Sequence, residues 1–218
     1  MLTLAQRVEA VVAEGWKLLP AVKYEAWITG IATEDLGAKH GNYSLDDGMI
    51  TLSTHLFMGA NAHELMYIDR HGNTPPVDEP YLSRAMHTLV HEIFHAIGHS
   101  TGLDATDEWL VLSGWEETLE EAEGYGRYNE RRPGWTPQGL SSWRYDRSAW
   151  MPREYSTKSP AECFSDCGVY YAVGWQHLAP HGNGQAKMKY MARRVWGQTE
   201  AARVRAVSAG WAQKFQRV

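Results

Sequence analysis

The five residues His91-Glu92-Ile93-Phe94-His95 could do chemistry because of their types and their spacing. Two histidines four apart on a helix project from one face, so both imidazoles can reach a single Zn²⁺ at about 2.0–2.1 Å. Glu92, next to the first histidine, can take a proton from a water that the metal activates. The pattern therefore predicts zinc-assisted hydrolysis, most often of a peptide bond.

The residues around this motif predict a buried amphipathic helix. Pro80 and Ser83 are typical of a helix start. Apolar residues then recur at helical spacing, namely Leu82, Met86, Leu89, Val90, Ile93, Phe94 and Ile97. Zinc ligands require such a buried helix. His87 and His99 lie one turn before and after the motif, and a third histidine on a straight helix is a turn too far along the axis to join the same ion. His99 could contribute if the helix breaks at Gly98, but we expect both residues to pack, to hydrogen-bond or to line the cleft.

The motif needs a third protein ligand, and three places in the chain compete for this role. The metzincin pattern requires a histidine six residues after His95, but that position is Thr101. The acidic segment 116–123 offers carboxylates, although such a run is usually a solvated helix face. Glu162 is the third candidate, but it also completes an S-x-x-E capping box with Ser159, in which it would only cap its own helix. The residues alone leave the last two places open.

Two further residues lie where zinc chemistry would use them. Asp166 lies one helical turn beyond Glu162, where it can accept the free ring N–H of a zinc-binding histidine. Tyr155 precedes Glu162 by seven residues, just before the predicted helix, and its phenol could face the open position of the metal. A tyrosine hydroxyl there can stabilise the oxyanion of a tetrahedral intermediate.

Two segments of the chain resemble known zinc peptidases. The block Tyr155…Pro160-Ala161-Glu162-x-Phe164 resembles the third-ligand helix of the anthrax lethal-factor catalytic domain and of titration-factor-type peptidases. The run Glu162-x-x-Ser165-Asp166 is similar to the run in thermolysin-like gluzincins that supplies the zinc-binding glutamate and the acid that supports a zinc-binding histidine. Residues 91–103 are similar to metallopeptidase domains of mobile-element antirestriction proteins. Cys163 departs from the pattern, because a second aromatic residue is expected there.

The resemblance, which covers about residues 86–99 and 155–171, also implies roles. His91, His95 and Glu162 would bind zinc, Glu92 would be the general base, and Tyr155 would be the oxyanion donor. On this basis we prefer Glu162 to the 116–123 segment as the third ligand. The resemblance further implies a zincin-like α+β fold, with a small sheet packed on the active-site helix and further helices after it.

Length and charge bound the remaining possibilities. A chain of 218 residues without an evident linker or repeat predicts one domain, residues 1–218. The net charge of −5 hides basic carboxyl-terminal helices, which could meet nucleic acid or another acidic surface. The near-neutral pI gives no general support for nucleic-acid binding, and nothing indicates an oligomeric state. The basic residues are Lys187, Lys189, Arg193, Arg194, Arg203, Arg205, Lys214 and Arg217.

The sequence gives no sign of a signal peptide or membrane span. Charged residues interrupt the apolar run 2–19, and no segment approaches the roughly 20 apolar residues that span a bilayer. Cys163 and Cys167 lie four apart on a predicted helix, where disulfide geometry is poor, so we expect reduced core thiols. These features favour a cytoplasmic protein.

The coarse secondary structure is that of an α+β protein. The predicted strands are 27–32, 43–45 and 49–53, the last two joined by an Asp-Gly hairpin turn. Met49–Ser53 is the candidate for an edge strand to which a peptide substrate can add, and it is equally compatible with an ordinary hairpin strand. The predicted helices are 3–18, 109–124, 160–173, 185–196 and 199–216, and residues 131–154 are predicted to be a long loop.

These observations predict a zinc-dependent endopeptidase that acts on a peptide or protein substrate. The alternative is a non-catalytic module on the same scaffold, which would use its basic carboxyl-terminal helices for a nucleic-acid or acidic protein partner. Glu92 argues against this alternative, because a purely structural metal site has no need of a carboxylate beside its ligand.

Overall fold

The computed structural model describes residues 3–18, 27–58, 67–68, 82–118, 126–129, 142–175 and 179–197, and its fold class is α+β. The helices within these ranges are α1 (Leu4–Leu18), α2 (Arg84–Thr101), α3 (Asp107–Ser113), α4 (Pro160–Ala172) and α5 (Asn183–Tyr190), which continues into a π-helical segment, Met191–Trp196. The strands are β1 (Gly30–Glu34), β2 (Gly41–Tyr43), β3 (Met49–Ser53), β4 (Tyr67–Ile68), β5 (Leu82–Ser83), β6 (Trp115–Thr118), β7 (Gly126–Asn129) and β8 (Ser142–Tyr145). Short 3₁₀ helices cover Thr54–Leu56, Leu103–Ala105 and Glu154–Thr157.

The first sheet corrects the expected edge strand. Its order is β1-β3-β2, with β3 parallel to β1 and antiparallel to β2. The prediction that Met49–Ser53 is an edge is therefore wrong. This strand lies in the middle because it is hydrogen-bonded to β1 on one side and to β2 on the other, and its Ile50 and Leu52 side chains are fully buried. The edge strand that packs against α2 is β2.

The hairpin between β2 and β3 is confirmed, but its first strand is Gly41–Tyr43 rather than the predicted 43–45. The backbone N–H of Ser44 donates to Met49 O at 2.9 Å, and Gly48 N–H donates to Ser44 O at 2.9 Å. Gly48 has φ of +71°, a conformation that favours glycine. This turn fixes the register in which Tyr43 lies opposite Ile50, and so it fixes which residues β2 presents beside α2.

The segment that follows helix α2 also differs from the prediction. The helix predicted over 109–124 ends at Ser113, because Gly114 adopts the left-handed conformation (φ 74°) that terminates helices. The chain then enters β6 of a second sheet, with antiparallel order β6-β8-β7. The predicted loop 131–154 thus contains a strand, β8. Trp115 and Trp143 are buried, which is why these short segments form a sheet.

Other expectations are confirmed at the level of elements. Helix α1 agrees with the predicted helix 3–18, α4 with 160–173, and α5 with its continuation with 185–196. Residues 199–216, the last predicted helix, lie outside the described residues. Cys163 and Cys167 are free thiols in the core. Within the described ranges, no helix has both the length and the apolar composition needed to cross a bilayer.

The packing of α2 against α4 determines the geometry of the site. One cluster of buried apolar side chains runs from Leu18 to Trp196 and includes both helices. Gly168 on α4 lies directly against the ring of Phe94 on α2, and a Cβ at that position would lie 2.1 Å from Phe94 Cδ1. A side chain at residue 168 would therefore push α4 away from α2. This close approach brings the first turns of α4 beside the middle of α2.

Candidate metal centre

Helix α2 presents both motif histidines to the same space. Leu89, Val90, Ile93 and Phe94 are fully buried, which fixes the rotation of the helix about its axis. The two imidazole rings consequently face a common cavity, with ring centroids 4.7 Å apart. The helix continues without a break through Gly98 to Thr101.

The two neighbouring histidines, His87 and His99, line the cavity as expected, and their rings stack on those of the motif histidines. The His99 ring stacks on His95 with centroids 6.3 Å apart, and the His87 ring stacks on His91 at 6.1 Å. His87 is buried, and burial together with the charge of Arg153 lowers its pKa well below the ordinary value. It is therefore neutral at pH 7.

The start of α4 brings Glu162 to the histidines. Pro160 occupies the first helical position, and Ser159 Oγ accepts a hydrogen bond from Glu162 N–H at 3.1 Å. The predicted N-cap is thus present. The carboxylate of Glu162, however, is directed at the histidines, with Oε2 2.9 Å from His91 Nε2 and 3.2 Å from His95 Nε2. Capping fixes the backbone here and leaves the carboxylate for the site.

The three candidate ligand atoms have the mutual spacing of a zinc site. The two histidine Nε2 atoms lie 3.1 Å apart, and each lies close to the same Glu162 oxygen. In a tetrahedral site with ligands about 2.0–2.1 Å from the ion, ligand atoms lie roughly 3.3–3.4 Å apart. The observed distances of 2.9, 3.1 and 3.2 Å are slightly shorter than these values. The donor set consists of two imidazole nitrogens and one carboxylate oxygen, which suits zinc.

The electrostatics of the site favour a cation at this point. Burial alone would lower the pKa of His91, but Asp166 and Glu162 raise it to about 10, so without a metal this imidazole carries a proton. Burial would raise the pKa of Glu162, but the two histidines hold it well below its ordinary value. Glu162 is therefore an ionised acceptor, and a bound divalent cation would replace the proton on His91.

A buried network holds His91 in position. Asp166 Oδ1 lies 2.9 Å from His91 Nδ1, which leaves Nε2 to face the candidate metal position. Arg153 Nε donates to Asp166 Oδ2 at 2.8 Å, one of its guanidinium NH₂ groups lies 2.8 Å from Oδ1, and Ser156 Oγ donates to Oδ2 at 2.6 Å. Burial would raise the pKa of Asp166, but Arg153 and His91 hold it well below its ordinary value. Asp166 is therefore charged and hydrogen-bonded on both oxygens.

Glu92 is enclosed beside the ligands. Only 7% of its surface is exposed, and burial raises its pKa, with the histidines acting in the opposite direction. It also accepts a backbone hydrogen bond from Tyr43 on β2. A Cβ at Gly41 would lie 2.9 Å from Glu92 Oε1 and 2.6 Å from the Thr88 methyl. The glycine therefore lets β2 approach the carboxylate closely.

Tyr155 lies over the other side of the site. Its ring centroid is 5.9 Å from that of His91, and its hydroxyl is hydrogen-bonded to Glu162. Burial and the negative charge of Glu162 raise the pKa of Tyr155 above its ordinary value, so the hydroxyl keeps its proton. The side chain remains 39% exposed and lines the cavity, so its hydroxyl lies where a bound molecule can compete with Glu162 for the hydrogen bond.

The cavity holds every predicted site residue except Asp166. It has a volume of about 740 Å³, and His91, Glu92, His95, Tyr155 and Glu162 line it together. Asp166 lies behind His91 with 1% exposure.

Only residues 116–118 of the alternative ligand segment, 116–123, fall within the described ranges. Glu116 and Glu117 are exposed on β6 and lie outside the group of possible ligands found among the described residues. Glu120, Glu121 and Glu123 lie outside the described ranges.

Three residues that matter to this geometry were missed in the sequence analysis. Arg153 and Ser156 support Asp166, and Gly41 admits β2 to Glu92. Nothing in the local sequence distinguishes Arg153 or Ser156 from ordinary loop residues. Gly41 lies before the predicted strand 43–45, and only the observed bounds of β2 place this glycine within a strand, where it indicates the close approach of another group.

Comparisons of the chain with protein-family models, with curated proteins and with solved structures each give no match. The resemblance to lethal-factor, titration-factor and thermolysin-like peptidases therefore stays a prediction.

Proposed function

We propose that the chain is a zinc-dependent endopeptidase of gluzincin type with a zincin-like fold. One observation carries the proposal: the two histidine Nε2 atoms and Glu162 Oε2 lie 2.9–3.2 Å from one another in a cavity that also contains Glu92. Three protein ligands leave one tetrahedral position for water or substrate, which is typical of catalytic rather than structural zinc.

The side chains around this position supply the proton transfers of hydrolysis. When bound, zinc acts as a Lewis acid that acidifies water and polarises the scissile carbonyl. Glu92 takes the proton of the attacking water and passes it to the leaving amine. Its raised pKa suits both steps, because it brings the carboxylate closer to the pH at which it must accept and release a proton. Tyr155 donates its hydrogen bond to the oxyanion of the tetrahedral intermediate.

Strand β2 is the proposed docking edge for the peptide. It lies at the edge of its sheet, and Gly41, Asn42 and Tyr43 all line the cavity. An extended peptide can add to such an edge through main-chain hydrogen bonds. Because the Glu92 carboxylate lies against Gly41, a peptide on β2 would bring its carbonyl groups close to the proposed base.

The experiment that tests the function measures metal and activity together. We expect the purified protein to contain about one zinc per chain and to cleave peptides from an unbiased mixture, with cleavage sites read by mass spectrometry. A strong chelator should abolish cleavage, and added zinc should restore it. A chain that binds no metal, or that cleaves equally well after complete zinc removal, would contradict the proposal.

Tyr155→Phe is expected to lower kcat about 10²–10³-fold, since a single oxyanion donor typically contributes this much. Zinc content and KM should change little, because the ring and its contact with His91 remain. Steady-state kinetics on the best cleaved peptide, with metal analysis on the same sample, checks this. An unchanged kcat would show that the oxyanion is held by another group.

The alternative of a non-catalytic module rests on residues that the structure places differently or does not describe. Lys187 is fully buried and donates to Trp150 O, and Arg193 and Arg194 lie against Glu108. Lys189 is exposed on α5, and the remaining basic residues of the carboxyl-terminal segment, from Arg203 onward, lie outside the described ranges. The binding-module alternative therefore gains no support from the described residues as a second function.

A further inference from the structure

We infer that the substrate carries a carboxylate close to the bond that is cleaved, because lysines lie on two walls of a cavity whose described lining contains no large aliphatic side chain. The carboxylate would belong to an acidic side chain or to the carboxyl terminus of a peptide. The inference rests on the proposed function and goes beyond it by naming the substrate class.

The charge of the cavity is opposite to that of the chain. The whole chain has a net charge of −5, but the described lining has four cationic side chains and two carboxylates. The cations are Lys39, Arg84, Arg153 and Lys158, and the carboxylates are Glu92 and Glu162. With zinc in place, Glu162 would be neutralised as a ligand. The positive charge would then dominate where substrate enters.

Two of these cations are available to a ligand. Arg153 is bound to Asp166, and Arg84 donates to His40 Nε2 at 3.2 Å. Lys39 and Lys158 are exposed, and neither has an ion pair with a carboxylate of the described residues. Lys158 Nζ lies 3.9 Å from the centroid of the Tyr155 ring, so its charge is held close to the proposed oxyanion donor.

The two lysines lie on different walls of the cavity. Lys39 comes just before β2, the strand that contacts Glu92 through Gly41. Lys158 follows the 3₁₀ helix Glu154–Thr157, which carries Tyr155. A peptide lying along β2 would therefore pass between a lysine on its strand side and a lysine on the Tyr155 side.

The part of the lining that the structure describes also offers little aliphatic surface on which to select an apolar side chain. Ligand pockets are usually lined mostly by hydrophobic and aromatic residues, which select by burial. Among the described lining residues there is no leucine, isoleucine, valine, methionine, phenylalanine or tryptophan, and the two tyrosines, Tyr43 and Tyr155, each carry a polar hydroxyl. Charge is thus the main property on which this surface can discriminate. A cleft lined by charges of one sign also speeds the arrival of oppositely charged ligands, in a manner that salt suppresses.

The test uses synthetic peptides made in matched pairs. Each peptide found to be cleaved is made with glutamate or with glutamine at the positions flanking the cleaved bond, and with a free or an amidated carboxyl terminus. The measured quantity is the ratio of kcat/KM for the acid form to that for the amide form. We expect a ratio of about 10 or more at low salt, which falls as ionic strength rises. The glutamate and carboxyl-terminal pairs tell the two sources of the carboxylate apart.

Lysine variants then locate the selectivity. Lys39→Gln and Lys158→Gln should each reduce the ratio about three- to fivefold, as expected for partly solvated charge pairs. The double charge reversal Lys39→Glu/Lys158→Glu should bring the ratio below one. Lys189→Gln is the matched control, because Lys189 is exposed on α5 and does not line the cavity. A wild-type ratio near one, or a high ratio that the lysine variants leave unchanged, overturns the inference.

A binding measurement separates this inference from the proposed function. Zinc-loaded Glu92→Gln protein is titrated with fluorescently labelled acid and amide forms of peptides taken from the unbiased mixture without regard to cleavage, and the acid forms should bind about tenfold more tightly. If wild type cleaves no peptide but this preference and its loss in the lysine variants are observed, the peptidase proposal fails and carboxylate recognition stands. If peptides are cleaved without any preference in cleavage or binding, the reverse holds.

Discussion

Replacement of Glu92 by glutamine is expected to abolish peptide cleavage and to leave the metal in place. The amide has nearly the same size as the carboxylate but cannot take a proton from water, and general-base catalysis contributes about 10²–10⁴-fold. Glu92 is not one of the three converging ligands, so zinc content should stay near one per chain. Kinetics and metal analysis on one preparation check both expectations.

The matched control is Glu117→Gln, which removes the same charge from the exposed surface of β6. It should change neither activity nor zinc content. Substantial cleavage by the Glu92 variant would show that another group accepts the proton, and the base would then have to be sought elsewhere in the cavity. Loss of zinc from this variant would show that Glu92 holds the metal itself.

Local signals in the sequence were sufficient to predict the two helices that form the site, α2 and α4. The spacing of apolar residues around His91 reflects burial of one helix face, and the structure confirms that face. Ser159 and Pro160 define where α4 begins, because capping depends on a few neighbouring residues. The positions of His91, His95 and Glu162 on their helices could therefore be predicted, and their convergence depended on the resemblance.

Features that depend on distant packing could not be predicted in this way. Met49–Ser53 alternates as an edge strand would, and its central place follows only from its pairing with both β1 and β2. The acidic run after Trp115 has helical composition, yet Gly114 ends α3 and β8 pairs with the segment. Arg153 supports Asp166 through contacts made only when the loop folds back on α4.

Replacement of Glu162 by alanine is expected to remove zinc. This side chain is the only carboxylate in the converging group, and its loss leaves two histidines with no third ligand among the described residues. Zinc affinity should fall by more than the roughly 10–100-fold that the loss of a partner behind a ligand causes. Competition with a chromogenic chelator measures the affinity, and far-UV circular dichroism checks that α4 still folds. Glu162→Gln, which keeps the shape of the side chain without its charge, should also weaken binding.

Asp166→Asn is the comparison variant for Glu162→Ala, because Asp166 contacts a proposed ligand without being one. Its amide oxygen can still accept from His91 Nδ1–H, so zinc affinity should fall only about 10–100-fold. The variant should nevertheless lower the free energy of unfolding by up to about 3 kcal/mol, because it removes the charge that Arg153 faces in a mostly buried pair. Replacing the ligand Glu162 should therefore mainly lower zinc affinity, whereas replacing Asp166, which supports a ligand, should also lower the free energy of unfolding. If Glu162→Ala bound zinc as tightly as wild type while Asp166→Asn bound it weakly, the third ligand would have to be a different group, and the proposed coordination would be wrong.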